Sequence, residues 1–336
     1  MKKHIFTFVF LIIIVTGLFI ACSKSSSDTT LIGNWVKLSD FEGVPRSNAV
    51  GFNIEDKGYV GTGYDGTKRL KDFWEYDPVK NTWKQIADLP DSARNGAVGF
   101  GIGKKGYVGT GYNGTDKLND FWEYNPATNK WTRKADFAGT ARYDAVGFSI
   151  GNVGYIGTGF DGNYLKDFWA YNPQTNTWTQ KTSVGGSKRT GAVGFVIDGK
   201  GYICTGIDNG VYENDFWEYD PDADTWTKKN SISDATSEDF DNSYTTIVGT
   251  GKVAFSANGK GYVATGGQGT VGNHVWEYDP LTDLWEEKTN FEGAERLDAV
   301  AFSINNVGYV TTGRSSSYYF DDIWSFEPDA DYNQYD

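Results

Sequence analysis

The chain has 336 residues, with 44 acidic side chains against 31 lysines and arginines, and a formal net charge of −13. Proteins that bind nucleic acid neutralise its phosphates with lysine and arginine, so this balance argues against nucleic acid as a partner. There are two cysteines, Cys22 and Cys204, too few for a disulfide framework. Stability is therefore expected to come from a hydrophobic core, which a chain of this length can build.

The first 21 residues have the layout of a secretory signal peptide. Lys2 and Lys3 precede an apolar run that ends in Ala21-Cys22. The segment 18–22, Leu-Phe-Ile-Ala-Cys, resembles the lipobox of bacterial lipoproteins, although that family usually has leucine where Phe19 stands. The resemblance implies that Cys22 is lipidated and begins the mature, exported protein. That protein would be held by its lipid in the cell envelope, at the outer membrane or facing the periplasm.

An uncleaved membrane anchor is the alternative interpretation of this segment. It is disfavoured because the apolar run is shorter than the roughly 20 residues that span a bilayer. Mass spectrometry of a Cys22→Ala variant separates the two, since an unchanged product retained in the membrane would contradict lipidation.

The rest of the chain divides into three parts. Residues 22–32 are small and polar and predict a flexible tether. Residues 33–328 form the predicted globular domain, and residues 329–336 an acidic tail. Without residues 1–21, which hold Lys2 and Lys3 and no acid, the net charge changes from −13 to −15. The tail lacks the glycine and the length of a calcium-binding loop.

Residues 33–328 repeat with a period near 48, and the twelve tryptophans mark the repeat. They fall into two interleaved series of six: Trp35, Trp83, Trp131, Trp178, Trp226, Trp285 and Trp74, Trp122, Trp169, Trp217, Trp276, Trp324. Self-similarity on this scale is typical of repeat architectures such as propellers. Because tryptophan recurs in every repeat, core packing is the expected role, with sugar-stacking platforms as the alternative.

Each repeat contains four short β-type runs, named a to d, separated by turn residues. In repeat two these are residues 97–102, 106–111, 121–125 and 130–132. In run a, Val98, Phe100 and Ile102 share one face, while the other face is small. Run c has Phe121 beside Trp122, so both of its faces are apolar and must be covered.

These runs resemble the kelch repeat: a leading Arg, a run that ends in Gly, an aromatic run followed by Tyr-Asp-Pro, and then Asn-x-x-Trp. The double glycine typical of that family is Thr-Gly in five repeats and Gly266-Gly267 in repeat five. The resemblance implies an all-β fold, a six-bladed β-propeller. The domain starts with a d run at 33–38 and ends with a c run at 322–328. The N-terminal strand is therefore expected to complete the last blade and close the ring.

Five repeats begin run a with arginine and run c with aspartate. The predicted structural pairs are Arg46–Asp72, Arg94–Asp120, Arg142–Asp167, Arg189–Asp215 and Arg296–Asp322. Repeat five has Gly249 and His274 at these two positions, and the joint loss indicates that each pair acts as a unit. Arginine can form two hydrogen bonds with one carboxylate. The alternative is that the arginines form a ring of cations in a ligand funnel.

Redox-metal chemistry is not expected. The copper site of the galactose-oxidase-like kelch proteins needs two histidines and a crosslinked cysteine, and His274 is the one histidine after residue 21. Cys204 stands where three other repeats have glycine, which favours a small buried side chain over a reactive thiol. No metal, no cofactor and no catalytic residue is assigned.

Variation between repeats predicts where binding occurs. The loops between runs b and c, and between run d and the next run a, emerge on the same face. The b–c loops differ from blade to blade and are aromatic: Tyr64, Tyr112, Phe160, Tyr164, Tyr212, Tyr318, Tyr319. An insertion of eleven residues before Trp285 adds Asp239 and Asp241. This face is the predicted binding surface.

The predicted function is a membrane-anchored, exported binding module for a glycan or a protein. One alternative is a sugar epimerase similar to the six-bladed kelch mutarotases that act on sialic acid, which would need an acid and a base in the funnel. The other is a purely structural envelope protein. The fold alone cannot choose among them, although an enzyme is the less favoured interpretation.

Overall fold

Six four-stranded antiparallel sheets form most of the structure, a computed structural model that describes residues 32–335. Each sheet is one blade of a β-propeller, as predicted. The predictions for residues 1–31, including lipidation of Cys22, lie outside the described residues. Within the described range, no helix is long and apolar enough to cross a membrane.

The strands follow the predicted a-b-c-d order in every blade. Blade one contains β2 (Val50–Ile54), β3 (Lys57–Gly61), β4 (Phe73–Asp77) and β5 (Thr82–Ile86). Blade two contains β6 (Val98–Ile102), β7 (Lys105–Gly109), β8 (Phe121–Asn125) and β9 (Lys130–Arg133). Blade three contains β10 (Val146–Ile150), β11 (Val153–Gly157), β12 (Phe168–Asn172) and β13 (Thr177–Lys181).

The second half of the ring has two additions to this plan. Blade four contains β14 (Val193–Ile197), β15 (Lys200–Cys204), β18 (Phe216–Asp220) and β19 (Thr225–Lys228), with a two-stranded ribbon, β16 (Ile207–Asp208) and β17 (Val211–Tyr212), in its b–c loop. A 3-10 helix (Asp239–Asp241) lies in the insertion. Blade five contains β20 (Val253–Ala257), β21 (Lys260–Ala264), β22 (Val275–Asp279) and β23 (Leu284–Glu287). Blade six contains β24 (Val300–Ile304), β25 (Val307–Thr311), β26 (Ile323–Asp331) and the N-terminal β1 (Ile32–Lys37).

The N-terminal strand closes the ring, which confirms the prediction made from the phase of the repeat. β1 pairs antiparallel with β26, with Trp35 opposite Phe326, and is the fourth strand of blade six. The pairing extends past the predicted boundaries, because Ile32 lies opposite Asp331. Residues 329–331, predicted as tail, are strand because β1 offers them a partner.

A ring of backbone hydrogen bonds also joins each blade to the next. In every repeat, the glycine that follows β-run b donates its N–H to the carbonyl oxygen at the start of the next run a. The six donor–acceptor pairs are Gly63–Arg94, Gly111–Arg142, Gly159–Arg189, Gly206–Gly249, Gly266–Arg296 and Gly313–Arg46, at 2.7–3.0 Å. The last pair joins blade six to blade one, so the ring is closed at its centre as well as at its edge.

The small face of run a allows neighbouring blades to approach closely. A Cβ atom on Gly147 of β10 would lie 1.9 Å from Cγ1 of Val98 in β6, a distance that no side chain can tolerate. Between these blades, Phe121 and Tyr171 pack edge to face with ring centroids 4.8 Å apart. The core therefore consists of six such layers between blades.

The tryptophans pack against this core, but they are not all fully buried. Trp35, Trp83, Trp276 and Trp285 are buried, and the other eight are half-buried. The half-buried indoles still have structural partners: Trp122 Nε1 donates to Asp120 Oδ2 at 2.6 Å, and Trp131 Nε1 donates to the Ala87 carbonyl at 2.8 Å. The indoles thus also anchor hydrogen-bond networks at the blade edges.

Candidate functional site

A central channel runs between the six innermost strands, and on the face of the b–c and d–a loops it includes a cavity of about 450 Å³. This cavity is called the funnel below. Its floor is formed by one residue from each blade, which directly precedes the alanine or lysine before strand a. These six are Asn48, Gly96, Asp144, Gly191, Gly251 and Asp298.

The backbone explains which residue types stand on the floor. All six floor residues have positive φ, between 49° and 64°. Glycine adopts this conformation freely, and asparagine and aspartate are the side chains that tolerate it best. Carboxylates can therefore be placed on the floor at little backbone cost, and blades three and six use this with Asp144 and Asp298. These blades face each other across a six-membered ring.

The two floor carboxylates differ in their surroundings. Asp144 has no hydrogen-bond or ion-pair partner for its carboxylate within residues 32–335. Burial, and secondly the charge of Asp298, raises the pKa of Asp144 to about 7. Burial also raises the pKa of Asp298, although Arg314 acts in the opposite direction, its Nε lying 3.0 Å from Oδ2. The floor therefore offers one carboxyl group whose pKa is raised into the neutral range.

Aromatic side chains form an arc along the b–c and d–a loops of blades six, one, two and three, beside the funnel but outside its lining. The ring centroids of Tyr319 and Tyr64 are 6.2 Å apart. Beyond Arg69, the arc continues with Tyr112–Tyr143 at 5.5 Å, Tyr143–Phe160 at 5.7 Å and Phe160–Tyr164 at 5.2 Å. All six rings are half-buried. This set is called the aromatic arc.

Arg69 completes the arc between two of its tyrosines. Its guanidinium carbon lies 5.4 Å from the ring centre of Tyr64 and 4.7 Å from that of Tyr112. Nε donates to Asn95 Oδ1 at 2.7 Å, and the two terminal nitrogens have no partner among the described side chains. Arg69 is thus held in place with its hydrogen-bonding edge available to a ligand.

Five of the predicted binding residues come together in the arc: Tyr64, Tyr112, Phe160, Tyr164 and Tyr319. Tyr212 lies on the ribbon of blade four, opposite Ile207. Tyr318 is 70% exposed and packs on Phe320 rather than on an arc residue. Tyr143 belongs to the arc but was not predicted, because it precedes run a and not run c. The available signal was that other repeats have Ser, Asn, Thr or Leu at its position.

The insertion is not the acidic ligand contact that its composition predicted. Asp241 is 0% exposed and accepts hydrogen bonds from Thr236 N at 3.0 Å and Thr236 Oγ1 at 2.8 Å, so placing it on the binding surface was wrong. Asp239 is exposed. Tyr244, Ile247 and Val248 are buried in the core beside blade five. The insertion therefore stabilises the fold, and deleting it would remove core.

The five predicted Arg–Asp pairs are ion pairs within their own repeats, with nitrogen–oxygen distances of 2.5–2.7 Å. In repeat two, Arg94 Nη1 and Nη2 donate to the two Asp120 oxygens, and Nη1 also donates to the Thr110 carbonyl at 3.0 Å. In repeat four, Arg189 and Asp215 approach to 2.6 Å, but not with two parallel bonds. All five arginines are 0% exposed, so the alternative that they line a ligand funnel is wrong.

Repeat five replaces the missing pair with a lysine from another position. Lys252 stands where the other repeats have alanine, and its Nζ donates to the carbonyls of Thr246 and Thr265, both at 2.9 Å. The Thr265 carbonyl corresponds to the one that Arg94 binds in repeat two. Burial lowers the pKa of Lys252 to about 8. Trp276 Nε1 donates to Thr246 Oγ1 at 2.9 Å, where Trp122 donates to Asp120.

Cys204 is fully buried, in agreement with the small core side chain predicted for it, and burial raises the pKa of its thiol to about 12. No group of three or more histidine, cysteine, aspartate or glutamate side chains within residues 32–335 is arranged to hold a metal ion.

Comparisons with known proteins agree with this architecture. The Kelch motif family model matches residues 63–90, 111–137, 154–185 and 188–232. A search of curated proteins finds no significant match. Among solved structures, one titled "Structure of YjhT" superposes with a TM-score of 0.70 at 18% sequence identity, covering 85% of this chain and 95% of that chain. This likeness concerns the fold.

The described chain is therefore a six-bladed β-propeller that contains kelch motifs.

Proposed function

We propose that the protein is an exported, lipid-anchored carbohydrate-binding protein, and that the sugar binds in the funnel against the aromatic arc. The observation that carries the proposal is the arc itself. Six half-buried rings follow one another along the loops of blades six, one, two and three, next to the 450 Å³ cavity but not in its lining. Tyr64, Tyr112 and Phe160 adjoin it because they pair with Ser47, Asn95 and Tyr143, each of which directly precedes a floor residue. Blades four and five have Ile207 and Gly267 at the corresponding positions. The anchor rests on the N-terminal sequence that ends in Cys22.

The arc and the floor supply complementary contacts for a sugar. Aromatic rings give large contact area to the apolar faces of a sugar at low entropic cost, since tyrosine has few rotatable bonds. A few polar groups in such a cavity fix the orientation of the ligand. Asn48 and Asp144 on the floor can bind hydroxyl groups. Arg69 can bind a carboxylate or sulfate substituent with two parallel hydrogen bonds.

The volume of the funnel favours a glycan over a protein partner. At about 450 Å³ it has the size of a small-molecule site, whereas a stable protein interface needs about 800 Å² on each partner.

Replacing Tyr112 by alanine should weaken binding about three- to tenfold, because an aromatic contact contributes about 0.5–1.5 kcal/mol. The purified full chain is first tested on a glycan array, and the dissociation constant for the strongest ligand is then measured by calorimetry. Tyr335→Ala is the control, since Tyr335 is exposed near the C-terminus and outside the arc. Equal effects of the two substitutions, or no glycan bound by the wild type, would contradict the proposal.

A second candidate function, interconversion of sugar anomers, is favoured by Asp144 alone. A carboxyl group with a pKa of about 7 can give a proton to a ring oxygen and take one from the anomeric hydroxyl near neutral pH. Ring opening and reclosure then invert the anomeric centre without other reactants. The test follows anomer exchange by NMR: acceleration by the wild type that is lost in Asp144→Asn supports an enzyme, and the buffer rate in both supports binding only.

A further inference from the structure

Repeat five has lost bulky side chains at three corresponding positions of the loops on the funnel face. Gly249 stands where the other repeats have arginine. Gly267 stands where they have Tyr64, Tyr112, Phe160, Ile207 or Arg314. Gly272 stands where they have Leu70, Leu118, Leu165, Glu213 or Phe320.

The backbone of this region leaves no room for a side chain at Gly249 or Gly272. A Cβ atom on Gly249 would lie 2.6 Å from the carbonyl carbon of Gly267, and Gly249 has φ of 156°. A Cβ atom on Gly272 would lie 2.4 Å from the Gly266 carbonyl oxygen. The backbone thus takes part of the vacated volume, and the remainder is a separate cavity of about 310 Å³. It is called the blade-five cavity.

The wall of the blade-five cavity is polar, and hydrogen bonds to residues outside the lining fix two of its side chains. Thr246 accepts hydrogen bonds from both Trp276 and the buried Lys252, so it cannot easily move. Nδ1 of His274 is 2.8 Å from Glu287 Oε1, which fixes the imidazole and leaves Nε2 without a partner in the described part of the chain. The other polar lining residues are Thr245, Gln268, Thr270, Asn273 and Glu295.

The composition of the wall indicates the class of ligand. Hydroxyl, amide and imidazole groups provide both donors and acceptors, as a polyhydroxylated molecule requires. Among residues 32–335, no lysine or arginine lines the cavity, whereas Glu295 does, so an anion is disfavoured. A volume of about 310 Å³ lies at the small end of ligand sites and suits one sugar unit. The cavity adjoins the funnel, because Gly267 on its wall pairs with Thr250 of the funnel.

We infer that the blade-five cavity is a second binding subsite, for a single uncharged sugar unit. The inference rests on the proposed carbohydrate-binding function. The absent Tyr64-like side chain at Gly267 lowers the wall between the two cavities, so that a glycan held by the aromatic arc can place a neutral branch or terminal unit in the blade-five cavity.

The test uses the full chain and three neutral hexoses, D-glucose, D-galactose and D-mannose, with binding measured by saturation-transfer NMR. Thr270→Trp should fill the cavity and abolish binding of the preferred hexose. His274→Ala should weaken that binding about tenfold, the effect of losing one hydrogen bond to a ligand. Ser316→Trp, at an equally exposed loop position of blade six, is the matched control and should bind as the wild type does.

The outcomes separate this inference from the proposed function. Hexose binding that is lost in Thr270→Trp and kept in Tyr112→Ala supports the second subsite. Binding that is kept in Thr270→Trp, or no binding of any of the three hexoses, overturns it. Neither result alters the glycan-array test of the funnel, which depends on Tyr112.

Discussion

Replacing Trp35 by alanine should lower the free energy of unfolding by about 3–5 kcal/mol, the usual cost of truncating a fully buried aromatic side chain. Trp35 is 0% exposed, and its ring centroid lies 4.9 Å from that of Phe291 and 4.6 Å from that of Phe326. Nε1 donates to the Thr289 carbonyl at 3.2 Å. These contacts fasten β1 to the rest of the ring. Denaturant unfolding of the full chain measures the loss.

The control for Trp35 is Trp226→Ala in blade four. Trp226 occupies the same repeat position but is half-buried, with its ring centroid 4.9 Å from that of Tyr219. Its strand, β19, comes directly after the other strands of blade four in the sequence and does not close the ring. Its loss should therefore cost less. Amide exchange should also become faster in β24–β26 of Trp35→Ala. A smaller loss than in Trp226→Ala, with unchanged exchange in blade six, would contradict the closure argument.

Replacing Arg94 by alanine should cost about 3–5 kcal/mol, because removing one partner of a buried pair leaves the other charge uncompensated. Arg94 is 0% exposed and the side chain of Asp120 is 6% exposed, so water cannot substitute for the lost guanidinium. The matched control is Arg133→Ala, which breaks the exposed pair with Asp136 and should cost less than about 1 kcal/mol. Comparable losses in the two variants would show that the Arg–Asp pairs are not structural.

The same pair predicts the pH dependence of stability. Burial alone would raise the pKa of Asp120, but the hydrogen bonds and charge of Arg94 outweigh it and hold that pKa below its usual value. The pair therefore stabilises the fold fully above the unfolded pKa of about 3.9. The contribution is lost as the pH falls through the lower, folded value. Arg94→Ala should show a flatter decline of unfolding free energy between about pH 5 and the acid transition than the wild type.

Local spacing was sufficient to predict the blades, the closing strand and the Arg–Asp pairs. Each depends on residues that recur at a fixed interval. Trp35 lies in the first run of the domain, in the phase of run d, and Arg94 precedes Asp120 by the same number of positions as Arg46 precedes Asp72. Such regularity reports the architecture because every blade must satisfy the same contacts with its neighbours.

The site depends on relations between blades that no local spacing contains. Asp144 and Asp298 are 154 positions apart in the sequence, and only closure of the ring brings them to the same floor. Tyr143 joins the aromatic arc because it pairs with Phe160 in the b–c loop of its own blade and packs on Tyr112 of the preceding blade.

The insertion was misjudged for a similar reason. Its acidic composition suggested solvent exposure, whereas Tyr244 within it is buried and accepts a hydrogen bond from Trp285 N at 2.7 Å. Packing against blade five, rather than composition, decides its role. The replacement of an arginine by Lys252 three positions later could likewise be recognised only from the shared carbonyl acceptor.

The most direct test of the carbohydrate-binding proposal is a crystal structure of the protein with the glycan that binds most strongly on the array. The expected result is sugar density in the funnel, packed against Tyr64 and Tyr112, with a hydroxyl group within hydrogen-bond distance of Asp144. Sugar density on the opposite face, at the a–b turns such as Gly103–Lys104, with the funnel empty, would contradict it.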